Sequence, residues 1–92
     1  MKLSQQQKDA IRISVIRRVD VFTDEYVEAS ADPDFLRLEK DLGIFVTQRM
    51  MLALAFTKVS KSYGGKPVSP LDCVDLETVQ DCIELVIQRA ER

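Results

Sequence analysis

The sequence predicts an all-α domain: a three-helix bundle, built from a long helical hairpin plus a third helix, that dimerises into a six-helix bundle. Three observations predict it. Apolar residues recur at Phe35, Leu38, Leu42, Phe45, Leu52, Phe56, Val59 and Tyr63, a three-four spacing that only Arg49 interrupts, and such spacing is the seam of a long helix. Two punctuated stretches, Ala29 to Asp34 and Gly64 to Asp75, divide the chain into three segments. The last segment repeats the helical spacing at Leu76, Val79, Ile83, Val86 and Ala90.

The first segment is expected to form a helix from an N-cap at Ser4 to about Ala29, with Ile11, Val15, Val19, Phe22 and Tyr26 on one face. Ile11, Ile13 and Val15 also alternate as a strand would, but Arg17 and Arg18 break that period and no second strand candidate exists to pair with it. In the second segment Asp32 and Pro33 read as N-cap and first helical residue. The short connection predicts an antiparallel hairpin. Gly43 falls inside this long helix, where it costs about 1 kcal/mol against alanine and admits a kink or a close backbone neighbour. Gly64 stands where a left-handed C-cap would end the helix, with Lys58 and Lys61 complementing its dipole. Ser69, Pro70 and Asp72 read as a single capped turn. The final helix is expected to start at Asp75.

Length and composition make residues 1–92 a single helical domain: 46% of residues are apolar, 30% are charged and the net charge is −2. That balance argues neither for nucleic acid nor for disorder. The N-terminal stretch lacks the apolar core of a secretory signal, and Thr47, Gln48 and Arg49 break the only long apolar run. The expectation is a cytoplasmic protein without membrane contact. Cys73 and Cys82, nine residues apart in a chain with no histidine, cannot complete a zinc site and are read as small buried side chains in a reducing compartment.

Catalysis has little to stand on. No histidine supplies a general base near neutral pH, and Gly64-Gly65-Lys66 lacks the spacing of a phosphate loop. The expectation is a protein that is not an enzyme and uses no cofactor or metal. It reads instead as a protein-binding module: a small adaptor, inhibitor, immunity or chaperone-like protein that docks through helices on itself and on another protein.

Between Ile44 and Phe56 the long helix is apolar over most of its circumference, so Met50, Met51 and Leu54 are candidate interface residues. Arg49, at a seam position, would face Ile13 and Arg89 in a regular hairpin. It either lays its stem along the seam with its head in water, or meets a carboxylate or carbonyl of a partner. Asp24, Glu25 and Glu28, with Asp32 and Asp34, form an acidic tip suited to orienting a partner. Lys8, Arg12, Lys58 and Lys61 would gather at the opposite end as candidate phosphate contacts, the basis of an alternative reading as a nucleic-acid-binding or architectural protein. The long central helix and a shorter one after Lys-Pro-Val-Ser-Pro-Leu-Asp resemble the histone handshake over the second half of the chain. The long first helix and the acidic net charge depart from that pattern, and no tight glycine turn marks a helix-turn-helix motif.

Overall fold

The computed structural model describes residues 2–23 and 27–91. Within them it is all-helical and compact, with four α-helices and no strand: α1 (Gln5–Val21), α2 (Val46–Lys61), α3 (Pro70–Cys73) and α4 (Val79–Glu91). A single 3₁₀ turn, Pro33–Phe35, interrupts the long α1–α2 connection.

Helix α1 begins as expected. The Ser4 hydroxyl accepts the Gln7 N–H at 3.1 Å, and the Gln7 side chain accepts the Ser4 N–H at 2.9 Å, a reciprocal capping box. It buries Ile11, Val15, Ile16 and Val19. The helix stops at Val21, well short of Ala29. The Asp20 carboxylate accepts the Val27 N–H at 2.7 Å and the Thr23 hydroxyl donates to the Leu42 carbonyl at 2.9 Å, so short polar side chains offer the backbone partners other than the helical ladder. Tyr26, expected on the α1 face, lies outside the described residues.

The largest departure follows Asp32. The periodic seam does not form one helix from Phe35: Asp32 makes no side-chain cap, the 3₁₀ turn ends at once, and α2 starts only at Val46. Gly43 explains the break. Its φ is +67°; the bond Gly43 N–H to Glu39 O (3.1 Å) closes an αL turn around it, and Ile44 N–H to Leu38 O (2.7 Å) brackets that turn from outside. Residues 37–42 are thus a separate turn whose terminator is Gly43, and a Cβ there would meet nothing within 4 Å. Leu38, Leu42 and Ile44 are buried by this compact loop, while Phe35 is 75% exposed.

The loop is clipped to the start of α4. Leu38 N–H donates to Glu77 O at 2.8 Å and Val79 N–H to Leu36 O at 3.0 Å, around an antiparallel bridge between Arg37 and Thr78. Helix α4 accordingly begins at Val79 rather than Asp75. Thr78 accepts the Asp81 N–H at 3.2 Å, and Asp81 accepts the N–H groups of both Glu77 and Thr78 at 3.1 Å. The expected turn at Ser69 is present as α3, with Ser69 and Asp72 capping each other.

One core unites these elements. Phe56 of α2 is its largest fully buried side chain, joined by Leu52 and Val59 of α2, Cys73 of α3, and Val79, Cys82, Ile83 and Val86 of α4. Helix α1 packs on α4 and α2, and α2 also packs on α3 and α4. The start of α1 meets the end of α4, where the Leu3 N–H donates to Glu91 at 3.2 Å. The Cα trace is only 17 Å thin in its shortest direction, room for two layers of helices spaced about 8–10 Å apart. Among the described residues no third layer covers the outer side of α2.

Candidate docking face and candidate binding cleft

Helix α2 presents two different surfaces. Leu52, Ala53, Phe56, Val59 and Ser60 point inward with Arg49. On the outer side Val46, Met50 and Leu54 follow one another at four-residue steps, with Met51 beside them; Leu54 is 69% and Met51 57% exposed. An open apolar groove of about 370 Å³ runs between this side and residues 68–70, lined by Met50, Met51, Ala53, Leu54, Thr57, Val68 and Pro70. Its wall is fixed by the Thr57 hydroxyl, which donates to the Val68 carbonyl at 3.0 Å and accepts the Val68 N–H at 2.8 Å. Leu71, 79% exposed, follows Pro70, and Lys58 and Lys61 continue the outer side into the last turn.

Met50, Met51 and Leu54 are therefore brought together in one groove. The acidic and basic ends are not separated as the spacing suggests. Glu28 lies 3.7 Å from Arg17 of α1, and the Arg12 guanidinium pairs with Asp34, its Nε–H donating at 3.2 Å. Asp34 and Arg12, expected at opposite tips, touch because α1 is short and the following loop returns along it. The Asp34 carboxylate raises the Arg12 pKa further. Lys8 lies 3.9 Å from Glu91. Asp24 and Glu25 fall outside the described residues.

Arg49 does not lay its stem along the seam with its whole head in water: most of the guanidinium is bound inside the fold. It is 7% exposed; its Nε–H donates to Val74 O at 3.3 Å and an Nη1–H to Ile44 O at 3.1 Å, with the Glu39 carboxylate 3.5 Å away. It lines a second, open cleft of about 590 Å³ with Arg37, Glu39, Lys40, Val74, Asp75, Leu76 and Glu77. None of these companions is legible as a site residue in the sequence, because the periodic pattern sets residues 37–40 on a helix. The one signal that could have assembled them is Gly43, had its left-handed conformation been inferred.

At the rim of this cleft the Arg37 N–H bonds to Asp41 at 2.7 Å, and that backbone bond, aided by the Arg37 charge, lowers the Asp41 pKa. On α3 the Ser69 N–H likewise lowers the Asp72 pKa, assisted by Arg89, whose Nη2 is 3.1 Å from the carboxylate. Both cysteines are free and buried. Burial, and secondarily Asp72, pushes the Cys73 thiol up to about 11, and burial raises Cys82 as well, so neither is a ready thiolate at neutral pH.

Among the described residues no helix is long and apolar enough to cross a membrane, and no cluster of three or more acidic, cysteine or histidine side chains is arranged to hold a metal ion. Comparison with known protein families, curated proteins and solved structures finds no match to this chain.

Proposed function

We propose that this chain is a non-enzymatic protein-binding module whose docking face is the outer side of α2, and that it pairs there with a second copy of itself. The observation that carries the reading is the apolar groove of Met50, Met51 and Leu54, continuous with Val46 and flanked by Pro70 and Leu71, on a helix that the fold leaves covered on one side only. Contiguous apolar surface of this kind is stabilised by burial at about 25 cal/mol per Å². An antiparallel pairing of the two α2 helices keeps Lys58 and Lys61 of each copy at opposite ends of the interface and avoids like-charge contact. Arg49 lines the other cleft, so orientation on this face falls to the lysines. An adaptor, inhibitor, immunity or chaperone-like role, with a second protein seated on the charged ends of the dimer, and a cytoplasmic setting complete the proposal. Nucleic-acid binding is the weaker alternative, since two of its four cations, Lys8 and Arg12, already lie against Glu91 and Asp34.

The test is solution mass by light scattering over a concentration series, for the wild type and for Leu54→Glu. A wild-type dimer and a folded monomeric variant are expected. A wild type that stays monomeric at every concentration refutes the self-association.

A further inference from the structure

We infer that the Arg49 cleft is a carboxylate-binding site, with Arg49 as its anchor and Glu39 as an internal stand-in for the ligand. This inference is independent of the α2 face and stands whether or not α2 pairs.

The guanidinium is held from behind. Its Nε–H and one Nη1–H bond to carbonyls of two separate segments, Val74 after α3 and Ile44 before α2, which fixes its plane before any ligand arrives and lowers the ordering cost of binding. Nη2 donates to no described residue. Every sealed side-chain nitrogen or oxygen among the described residues has a partner, so Nη2 is not sealed, and the cleft that Arg49 lines is where it opens. A planar fork with free donors, desolvated on its other edge, is suited to a carboxylate.

Glu39 marks the position of the missing acceptor. Its carboxylate stands 3.5 Å from Nη1, near enough for charge attraction but without a hydrogen bond, and its side chain is 58% exposed. It is a loose counter-ion that a better-placed carboxylate can displace. The volume, about 590 Å³, is that of a small-molecule site. The charge is not that of a phosphate site: Arg37, Lys40 and Arg49 are balanced by Glu39, Asp75 and Glu77, and Arg37 is also held by Asp41 at the rim, so recognition of a singly charged carboxylate rests on the Arg49 donors rather than on net charge. That group can belong to a small free acid or to the C-terminal residue of a peptide.

The experiment is a titration followed by NMR, reading the Arg49 Nε–H signal and the Val74 and Asp75 amides at constant ionic strength. The probes are acetate, N-acetylglycine, the neutral N-acetylglycinamide and inorganic phosphate. Saturable shifts with acetate and N-acetylglycine, none with the amide, and no tighter binding of phosphate are expected. Acetate binding as tightly as N-acetylglycine assigns the site to small acids, and clearly tighter N-acetylglycine assigns it to chain termini. Arg49→Lys should abolish the shifts. Since that variant can fail to fold, Glu39→Gln provides the second check: removal of the competing carboxylate should tighten acetate binding about two- to fivefold, the worth of an exposed ion pair. No saturable shift, equal shifts with the neutral amide, tighter binding of phosphate than acetate, or unchanged or weaker binding in Glu39→Gln overturns the assignment.

Discussion

Gly65→Ala is the perturbation whose size follows most directly from the packing. A Cβ at Gly65 would lie 2.5 Å from each of three atoms: the Ala90 Cα, the Arg89 carbonyl oxygen and the Ser60 hydroxyl oxygen. Two belong to the α4 backbone, and the third is held in place because Ser60 donates to Lys66 O at 2.6 Å and is fully buried. Ordinary contact needs about 3.5–4 Å, so α4 and the loop must separate by about 1 Å. That separation also stretches the Lys66 N–H to Arg89 O bond, now 2.9 Å, worth about 1 kcal/mol. Overpacking adds about 1–3 kcal/mol, and the stiffer unfolded chain returns about 0.4–1 kcal/mol. The net loss is about 1–3.5 kcal/mol, a large share of the roughly 5–10 kcal/mol available to a domain of this size. Urea unfolding followed by far-UV circular dichroism measures it as a fall in midpoint at unchanged slope. Gly43→Ala is the contrast: no atom obstructs its Cβ, and only the left-handed φ of +67° resists it, at about 1 kcal/mol. A Gly65→Ala loss below about 0.5 kcal/mol, or smaller than that of Gly43→Ala, refutes the close-approach reasoning.

Three further outcomes are expected. Arg49→Met keeps the buried stem but leaves the Ile44 and Val74 carbonyls without their donor, and urea unfolding should record a loss of about 2–4 kcal/mol. Ser69→Ala removes the cap of α3, and the same assay should give about 1 kcal/mol. Burial pushes the Cys73 thiol up to about 11 in the folded state, above the roughly 8.5 of an unfolded thiol. The folded state therefore holds its proton longer, so this contribution, at most about 3 kcal/mol, is intact below about pH 8.5 and is lost as pH rises toward 11. Thermal midpoints that stay level across that window in the wild type, or that fall equally in Cys73→Ala, contradict it.

Features set by local chemistry were legible in the sequence, and features set by chain return were not. The inward face of α4, the Ser69–Asp72 turn, the Ser4 cap and the positive φ of Gly64 (74°) each rest on residues within a few positions of one another. The stretch from Phe35 to Phe45 misled because a tight turn closed at Gly43, burying Leu38, Leu42 and Ile44, spaces its apolar residues much as a helix does. The α1 terminus depends on Asp20 and Thr23 finding backbone partners at Val27 and Leu42, contacts that exist only once the loop has folded back. Of the candidate sites, the outer side of α2 was visible through its surplus of apolar residues. The Arg49 cleft was not, since its walls come from residues 37–40 and 74–77, brought together by the α4 clip.

That clip also governs how the chain finds its fold. The Arg37–Thr78 bridge closes a loop of about forty residues, with an entropic cost of about 3 kcal/mol before the contacts inside it compensate. Both α2 and α3 lie within the loop, so they belong to a ring whose closure precedes or accompanies their packing on α4. A chain of four helices would ordinarily be a fast folder dominated by short-range contacts. This one carries a long-range closure, and non-local contacts of that kind slow folding. In the native state the same ring works in reverse: α2 cannot leave α4 by fraying from either end of the chain, and its slowest-exchanging amides should report the opening of the whole domain.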